Sequence, residues 1–230
     1  MTESAPSPHS WLLYVAPMAT FLVLTSLEGY LPQSAEGPHL TWYPVAYAVK
    51  IAVVVVAAWL CRAAWRDLKP WPGLKTLALA IGLGVAVAVV WVGLDGHYPS
   101  LPFLGTRQGF DPGKLSGPGR LGFLAIRMVG LVVVVPFIEE LFWRSFLMRI
   151  VIDPEFERVP VGRVTPAAAA ITSLFFALAH PEWLPALLTG LAWAWLLWKS
   201  KSLSACVASH MAANLALGIY VLVTGHWSFL

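Results

Sequence analysis

Four polar side chains in three apolar segments form a set that could hydrolyse an amide bond. Glu139 lies within PFIEELFWRSF, His180 ends FFALAH, and His210 and Asn214 occur one helical turn apart in HMAAN. A carboxylate together with an imidazole can activate water as a general base. An imidazole and a carboxamide can donate hydrogen bonds to a developing oxyanion. Because polar groups inside apolar segments are costly and face the protein interior, this set indicates a functional site.

Two neighbouring charges are expected to support that site by neutralising each other. Glu140 and Arg144 are four residues apart, in the favoured order with the glutamate first. Glu139 is rotated by about 100° from Glu140 on a helix, so it needs a partner on another helix. The two histidines are the candidates for that partner. Pro136 removes a backbone hydrogen bond just upstream and predicts a kink there.

The same residues leave a metal-dependent alternative open. Glu139, His180 and His210 could hold zinc with one open coordination position. Asn214 favours the metal-free version, because an amide is a poor zinc ligand but a good donor to an oxyanion. We therefore expect no required cofactor, with zinc as the alternative.

Composition shows which kind of protein must position these groups. The chain has 230 residues, of which 58% are hydrophobic and 12% are charged, whereas soluble domains carry about a quarter charged residues. A soluble chain of this length could not bury so much apolar surface, so we predict an integral membrane protein in contact with the lipid bilayer. The net charge of +3 comes without a basic tract, which argues against a nucleic-acid partner.

Seven apolar segments predict the fold class, an all-α polytopic membrane helix bundle. A spanning helix needs about 20 residues, so the fourth segment is too long for one span and the fifth and sixth are short. HPEW joins those two short segments into a hairpin with a polar tip. The predicted segments are 11–31, 42–62, 74–94, 121–150, 165–180, 184–199 and 203–224.

Two regions are expected within this single membrane domain. Residues 1–120 would contain the first three helices and the Gly/Pro-rich loop 95–120, and residues 121–230 would form the catalytic core. The loop is a lid or a connector. Its Asp95, His97 and Asp111 match no metal-binding spacing, so we interpret it as a solvated loop.

The loop cations predict the orientation in the membrane. Nine lie on one side and three on the other, which places the N-terminus in the cytoplasm and the C-terminus outside. The nine are Arg62, Arg66, Lys69, Lys75, Arg149, Arg158, Arg163, Lys199 and Lys201, and the three are Arg107, Lys114 and Arg120.

A few other polar or aromatic residues are expected to be structural. Glu28 and Lys50 lie near the outer ends of the first two helices, where an ion pair or snorkelling explains them. Arg127 is interpreted as an anchor at the outer interface. Trp193 falls near a predicted helix end and would belong to an interfacial aromatic belt.

Three short motifs carry a resemblance to a known family. EELFWR resembles the EExxxR signature of the CPBP family of CAAX proteases and bacteriocin-processing enzymes. FALAH resembles the family's FxxxH motif and HMAAN its HxxxN/D motif, in the same order, over about 135–215. The whole chain is most similar to bacterial CAAX-protease-related proteins linked to exosortase (PEP-CTERM) systems.

The resemblance implies an intramembrane endopeptidase of the bacterial inner membrane. By motif, Glu139 would activate the attacking water together with His180, and His210 with Asn214 would polarise the scissile carbonyl. Glu140, Arg144 and Phe176 would support the site. The implied partners are a membrane-anchored protein or peptide substrate and a functional link to an exosortase system.

Two other functions would use the same polar groups differently. A non-catalytic membrane binding or immunity protein would keep the polar cluster for structure alone. A small transporter would use it as a proton relay, but the sequence has no inverted repeat to support that.

Overall fold

The computed structural model describes residues 10–34, 37–106 and 109–229, and the fold over these ranges is all-helical apart from one minimal strand pair. Arg107, one of the three cations expected on the outer side, and residues 1–9 lie outside the described residues. The α-helices are α1 Leu12–Glu28, α2 Trp42–Leu60, α3 Leu74–Leu94, α4 Gly117–Val129, α5 Val135–Glu140, α6 Met148–Ile152, α7 Pro166–Leu178, α8 Trp183–Ser200 and α9 Leu203–Thr224. The strands are β1 Gln33–Ser34 and β2 Gly37–Pro38, which pair antiparallel.

Four helical segments are long and apolar enough to cross a membrane in the part of the chain that the structure describes: α2, α3, the composite segment 117–152 and α9. Helices α1 and α7 are apolar but shorter. Helices occur at all seven predicted positions, but seven membrane crossings are not confirmed. Large apolar side chains such as Val56, Val89 and Val223 are exposed on these helices, as expected of a protein integrated in lipid.

Short polar caps fix the beginnings of α7, the first helix of the predicted hairpin, and of α9, which follows the hairpin. The Thr165 side chain accepts a hydrogen bond from the Ala168 N–H, with Pro166 at the first helical position of α7. The Ser202 side chain accepts from the Ala205 N–H at the start of α9. Such caps satisfy backbone donors that a helix start leaves unpaired, so they set the register of His180 and His210.

The composite segment 117–152 is interrupted by two π-helical turns. They cover Gly130–Val134 and Leu141–Leu147, on either side of α5. These π-turns lie on both sides of Pro136, where a kink was predicted. The proline ring has no N–H to continue the regular series of helical hydrogen bonds. The short helix between the turns carries Glu139 and Glu140, and π-turns occur frequently at functional sites.

A buried polar cluster closes the end of the bundle where most cations lie. Asp67 accepts hydrogen bonds from the Tyr14 hydroxyl at 2.8 Å and the Ser145 hydroxyl at 2.6 Å, and it also pairs with Arg149. The interpretation of Arg149 as a loop cation is wrong, since this residue lies in α6 and is only 5% exposed. The Asp67 carboxylate compensates its charge, which is what allows an arginine to be buried there.

Helices α3 and α9 approach closely at Gly84. A Cβ at Gly84 would lie 2.9 Å from the Ala212 Cβ and would also overlap the Ser209 carbonyl oxygen, whereas a Cβ at Gly82 would meet nothing within 4 Å. Gly84→Ala should therefore lower the free energy of unfolding by roughly 1–3 kcal/mol through overpacking.

Gly82→Ala is the matched control in the same helix. It should be neutral or stabilising by roughly 0.5–1 kcal/mol, because alanine is the better helix former. Thermal unfolding in detergent would compare the two, and an unchanged midpoint for Gly84→Ala would contradict the close crossing.

Candidate active site

All four predicted catalytic residues line one cavity of about 560 Å³. Glu139 reaches it from α5, His180 from the turn after α7, and His210 and Asn214 from α9. The structure therefore brings Glu139 together with side chains that lie 41 to 75 residues downstream of it in the sequence. Convergence on one cavity is the geometry that a hydrolytic site requires.

Glu140 is the centre of a buried charge cluster behind this cavity. Its Oε1 lies 3.2 Å from Arg144 Nη1, and the side chains of both residues are almost fully buried. The predicted i, i+4 pair is thereby confirmed. The sequence did not indicate the third member: His210 Nδ1 donates to the same Glu140 Oε1 at 2.9 Å. The buried Glu140 charge is thus compensated by the ion pair with Arg144 and by the hydrogen bond from His210.

Two aromatic rings enclose the Arg144 guanidinium. Its Cζ lies 4.6 Å from the centre of the Phe176 ring and 5.0 Å from that of Trp193. The Trp193 ring also lies against the His210 imidazole, with 4.1 Å between ring centres. Trp193 was expected in an interfacial belt, but this is wrong because it is only 2% exposed. These contacts fix the orientation of both Arg144 and His210.

His180 is oriented by the last turn of α7. Its Nδ1 lies 2.7 Å from the Phe176 carbonyl oxygen. Because a carbonyl only accepts hydrogen bonds, Nδ1 carries the proton and Nε2 is the nitrogen with the lone pair. The ring is further held against Phe176, with 4.5 Å between centres, and Trp91, with 5.9 Å. The four-residue spacing of the FxxxH motif thus places the Phe176 carbonyl within hydrogen-bond distance of the His180 ring.

Asn214 has a structural bond that the sequence did not suggest. Its Nδ2 donates to the Leu131 carbonyl oxygen at 2.8 Å. In the π-turn the Val135 N–H bonds the Gly130 carbonyl, so the next bond in that register would join Leu131 to Pro136. Pro136 has no N–H, and Asn214 supplies the missing donor. One N–H of the amide is used in this way, and the Asn214 side chain also lines the cavity.

Three charged residues outside the predicted catalytic set also line the cavity. Lys50 Nζ lies 2.7 Å from Glu28 Oε2, so the predicted ion pair is confirmed. Arg127 donates to the Tyr43 hydroxyl at 2.9 Å, and its Cζ stacks 4.5 Å from the centre of the Tyr47 ring. Arg127 therefore faces the cavity and not only an interface.

The geometry does not favour the zinc alternative. Over the described ranges, no group of three His, Cys, Asp or Glu side chains lies close enough to hold a metal ion. The bond from His210 Nδ1 to Glu140 does not bear on this alternative, because a histidine bonded in this way can still ligate a metal through Nε2. In this geometry Glu139, His180 and His210 do not form a three-ligand zinc site.

A family model described as "Type II CAAX prenyl endopeptidase Rce1-like" matches residues 121–216, somewhat less than half of the chain. The matched segment contains every candidate site residue and confirms the family resemblance of the three motifs. No curated protein and no solved structure gives a significant match. The exosortase-linked subgroup stays a prediction.

Proposed function

We propose that this membrane protein is an intramembrane endopeptidase that cleaves a peptide bond by activated water, because residues 121–216 match the family model of Rce1-like type II CAAX prenyl endopeptidases. One observation carries the proposal: within the matched segment, Glu139, His180, His210 and Asn214 line the same cavity. A carboxylate, two imidazoles and a carboxamide supply both a general base and oxyanion donors.

In the proposed reaction, Glu139 removes a proton from a water molecule held between it and His180 Nε2. The water oxygen attacks the scissile carbonyl carbon, and the carbonyl electron pair moves onto its oxygen. When this tetrahedral intermediate collapses, the C–N bond breaks and the proton on Glu139 passes to the leaving amine. The products are a new carboxylate and a new amino terminus.

Asn214 and His210 are proposed to hold the developing oxyanion. The second N–H of the Asn214 amide donates to it directly. His210 already donates Nδ1–H to Glu140, so it can donate through Nε2 only when both ring nitrogens are protonated. Arg144 and Phe176 hold this arrangement in place.

The proposed substrate is a membrane-anchored protein or peptide. The proposed location is the bacterial inner membrane with the N-terminus in the cytoplasm, in functional association with an exosortase system. The orientation is supported by the cation-rich loops, and the exosortase link by the family resemblance of the whole chain.

His180→Ala should lower cleavage of a membrane-anchored reporter peptide by roughly 10²- to 10⁴-fold, as expected for loss of an acid–base group. His97→Ala is the control, because His97 is exposed in the loop after α3. The two purified variants would be compared with the unaltered protein by mass spectrometry of the fragments. Full activity of His180→Ala would contradict the assigned role. Absence of cleavage by the unaltered protein as well as by both variants would instead favour a binding protein on the same scaffold.

Cleavage is expected to continue after treatment with a chelator. Elemental analysis would be run on the same purified sample, before and after chelation. Stoichiometric zinc that is lost together with activity would overturn the metal-free mechanism.

A further inference from the structure

We infer that the cavity opens on the non-cytoplasmic side of the membrane, so that the substrate is a polypeptide whose cleaved bond lies on the exported side. That a substrate enters this cavity rests on the proposed function. The direction in which the cavity opens rests on geometry and charge alone.

The lining residues show which end of the bundle the cavity reaches. Gly29, Gln33 and Thr106 line it and are exposed. Gly29 and Gln33 follow the end of α1, and Thr106 belongs to the loop between α3 and α4. No lining residue comes from the described segments 61–73 or 153–165, which connect helices at the opposite end. Over the described residues, the cavity therefore reaches this end of the bundle and not the opposite end.

The course of the helices places the candidate catalytic groups deeper than the mouth. In the composite segment, Arg127 precedes Glu139 by 12 residues, or about 18 Å along a helix axis. In α9, His210 precedes Asn214 and Leu217, which lead towards the mouth end. A substrate entering from the mouth meets Lys50 and Arg127 first and Glu139 later.

The exposed cations concentrate at the end without the mouth. Eight exposed lysines and arginines lie there, whereas the described residues of the mouth end contribute two in the loops and the start of α4. The eight are Arg62, Arg66, Lys69, Lys75, Arg158, Arg163, Lys199 and Lys201, and the two are Lys114 and Arg120. The exposed cations remain unequally distributed between the two ends when the buried Arg149 is left out of the count. Loops rich in lysine and arginine stay in the cytoplasm.

The position of the mouth and the distribution of exposed cations together indicate the class of substrate. A chain segment that remains on the cytoplasmic side meets no opening of the cavity at its end of the described bundle. A segment that has been exported, and that is still held by a membrane anchor, can enter the mouth directly. The fitting class is therefore an exported, membrane-anchored polypeptide cut close to its anchor.

Cysteine labelling in intact cells tests the direction of opening. In a background of Cys61→Ser and Cys206→Ala, single cysteines would be placed at two exposed loop positions. Ser100→Cys lies on the mouth side and Ala63→Cys on the opposite side. A membrane-impermeant maleimide should label Ser100→Cys in intact cells and Ala63→Cys only after permeabilisation. The reverse pattern would overturn the inference. Labelling needs no substrate, so this result is separate from whether the protein cleaves peptides.

The substrate class is tested by comparing new amino termini in membranes from cells with the unaltered protein and with Glu139→Gln. Termini lost in the variant should map to exported positions beside membrane anchors. Termini confined to cytoplasmic positions would overturn the inference. If no terminus depends on Glu139, the proposed function fails, while the labelling still decides the direction of opening.

Discussion

Replacing Glu139 with glutamine is expected to lower the rate of peptide cleavage by about 10²- to 10⁴-fold. Glutamine keeps the shape of the side chain but cannot accept a proton from water. Glu139 is only 6% exposed and lines the cavity, so the change acts where the reaction is proposed to occur. The rate would be measured with purified protein and a membrane-anchored reporter peptide.

The neighbouring carboxylate and a surface carboxylate provide the controls. Glu155→Gln changes an exposed residue outside the cavity and should leave the rate unchanged. Glu140→Gln removes the partner of both Arg144 and His210, so it should lower stability as well as activity. Equal rates for Glu139→Gln and the unaltered protein would contradict the assignment of the base.

The second large effect concerns Arg144. Arg144→Met should lower the free energy of unfolding by about 3–5 kcal/mol, because it leaves a buried carboxylate without its main counter-charge. Glu140 is completely buried, so solvent cannot screen the charge that remains. The midpoint of thermal unfolding in detergent measures the change.

The exposed ion pair of Arg158 and Glu155 is the control for the effect of burial on stability. Arg158 and Glu155 lie 2.7 Å apart but are 70% and 55% exposed, so Arg158→Met should change stability by less than about 1 kcal/mol. The double variant Arg144→Met/Glu140→Gln should recover part of the loss, since it no longer buries a lone charge. A double variant as unstable as the sum of its single variants would show that the loss comes from packing and not from charge.

The helices and the motif residues could be predicted because both depend on local sequence. Helix α3 occupies Leu74–Leu94, as its uninterrupted apolar run predicts. Helix α7, which leads to His180, is short as predicted, whereas α8 has 18 residues and is longer than its predicted segment. The pairing of Glu140 with Arg144 follows from helical periodicity. Each of these features needs only neighbours within one or two turns.

The remaining features depend on contacts between distant segments. The bond from His210 to Glu140 joins residues 70 apart, and single-sequence spacing carries no information about it. Arg149 looked like a loop cation because its partner Asp67 lies 82 residues upstream.

The burial of Trp193 could have been predicted from its sequence neighbours. It shares a helix face with Ala186, Gly190 and Leu197, at spacings of three or four residues, and all four are buried. Small residues on the face of a membrane helix mark helix–helix contact, which places the tryptophan inside the bundle.

The central claim is that this cavity delivers water to a peptide bond by means of Glu139. Its most direct measurement is cleavage of a membrane-anchored reporter peptide in ¹⁸O-labelled water, with mass spectrometry of the new carboxyl terminus. Our account predicts one ¹⁸O atom in that carboxylate with the unaltered protein, and no product with Glu139→Gln. Labelled product formed at the same rate by Glu139→Gln would contradict it.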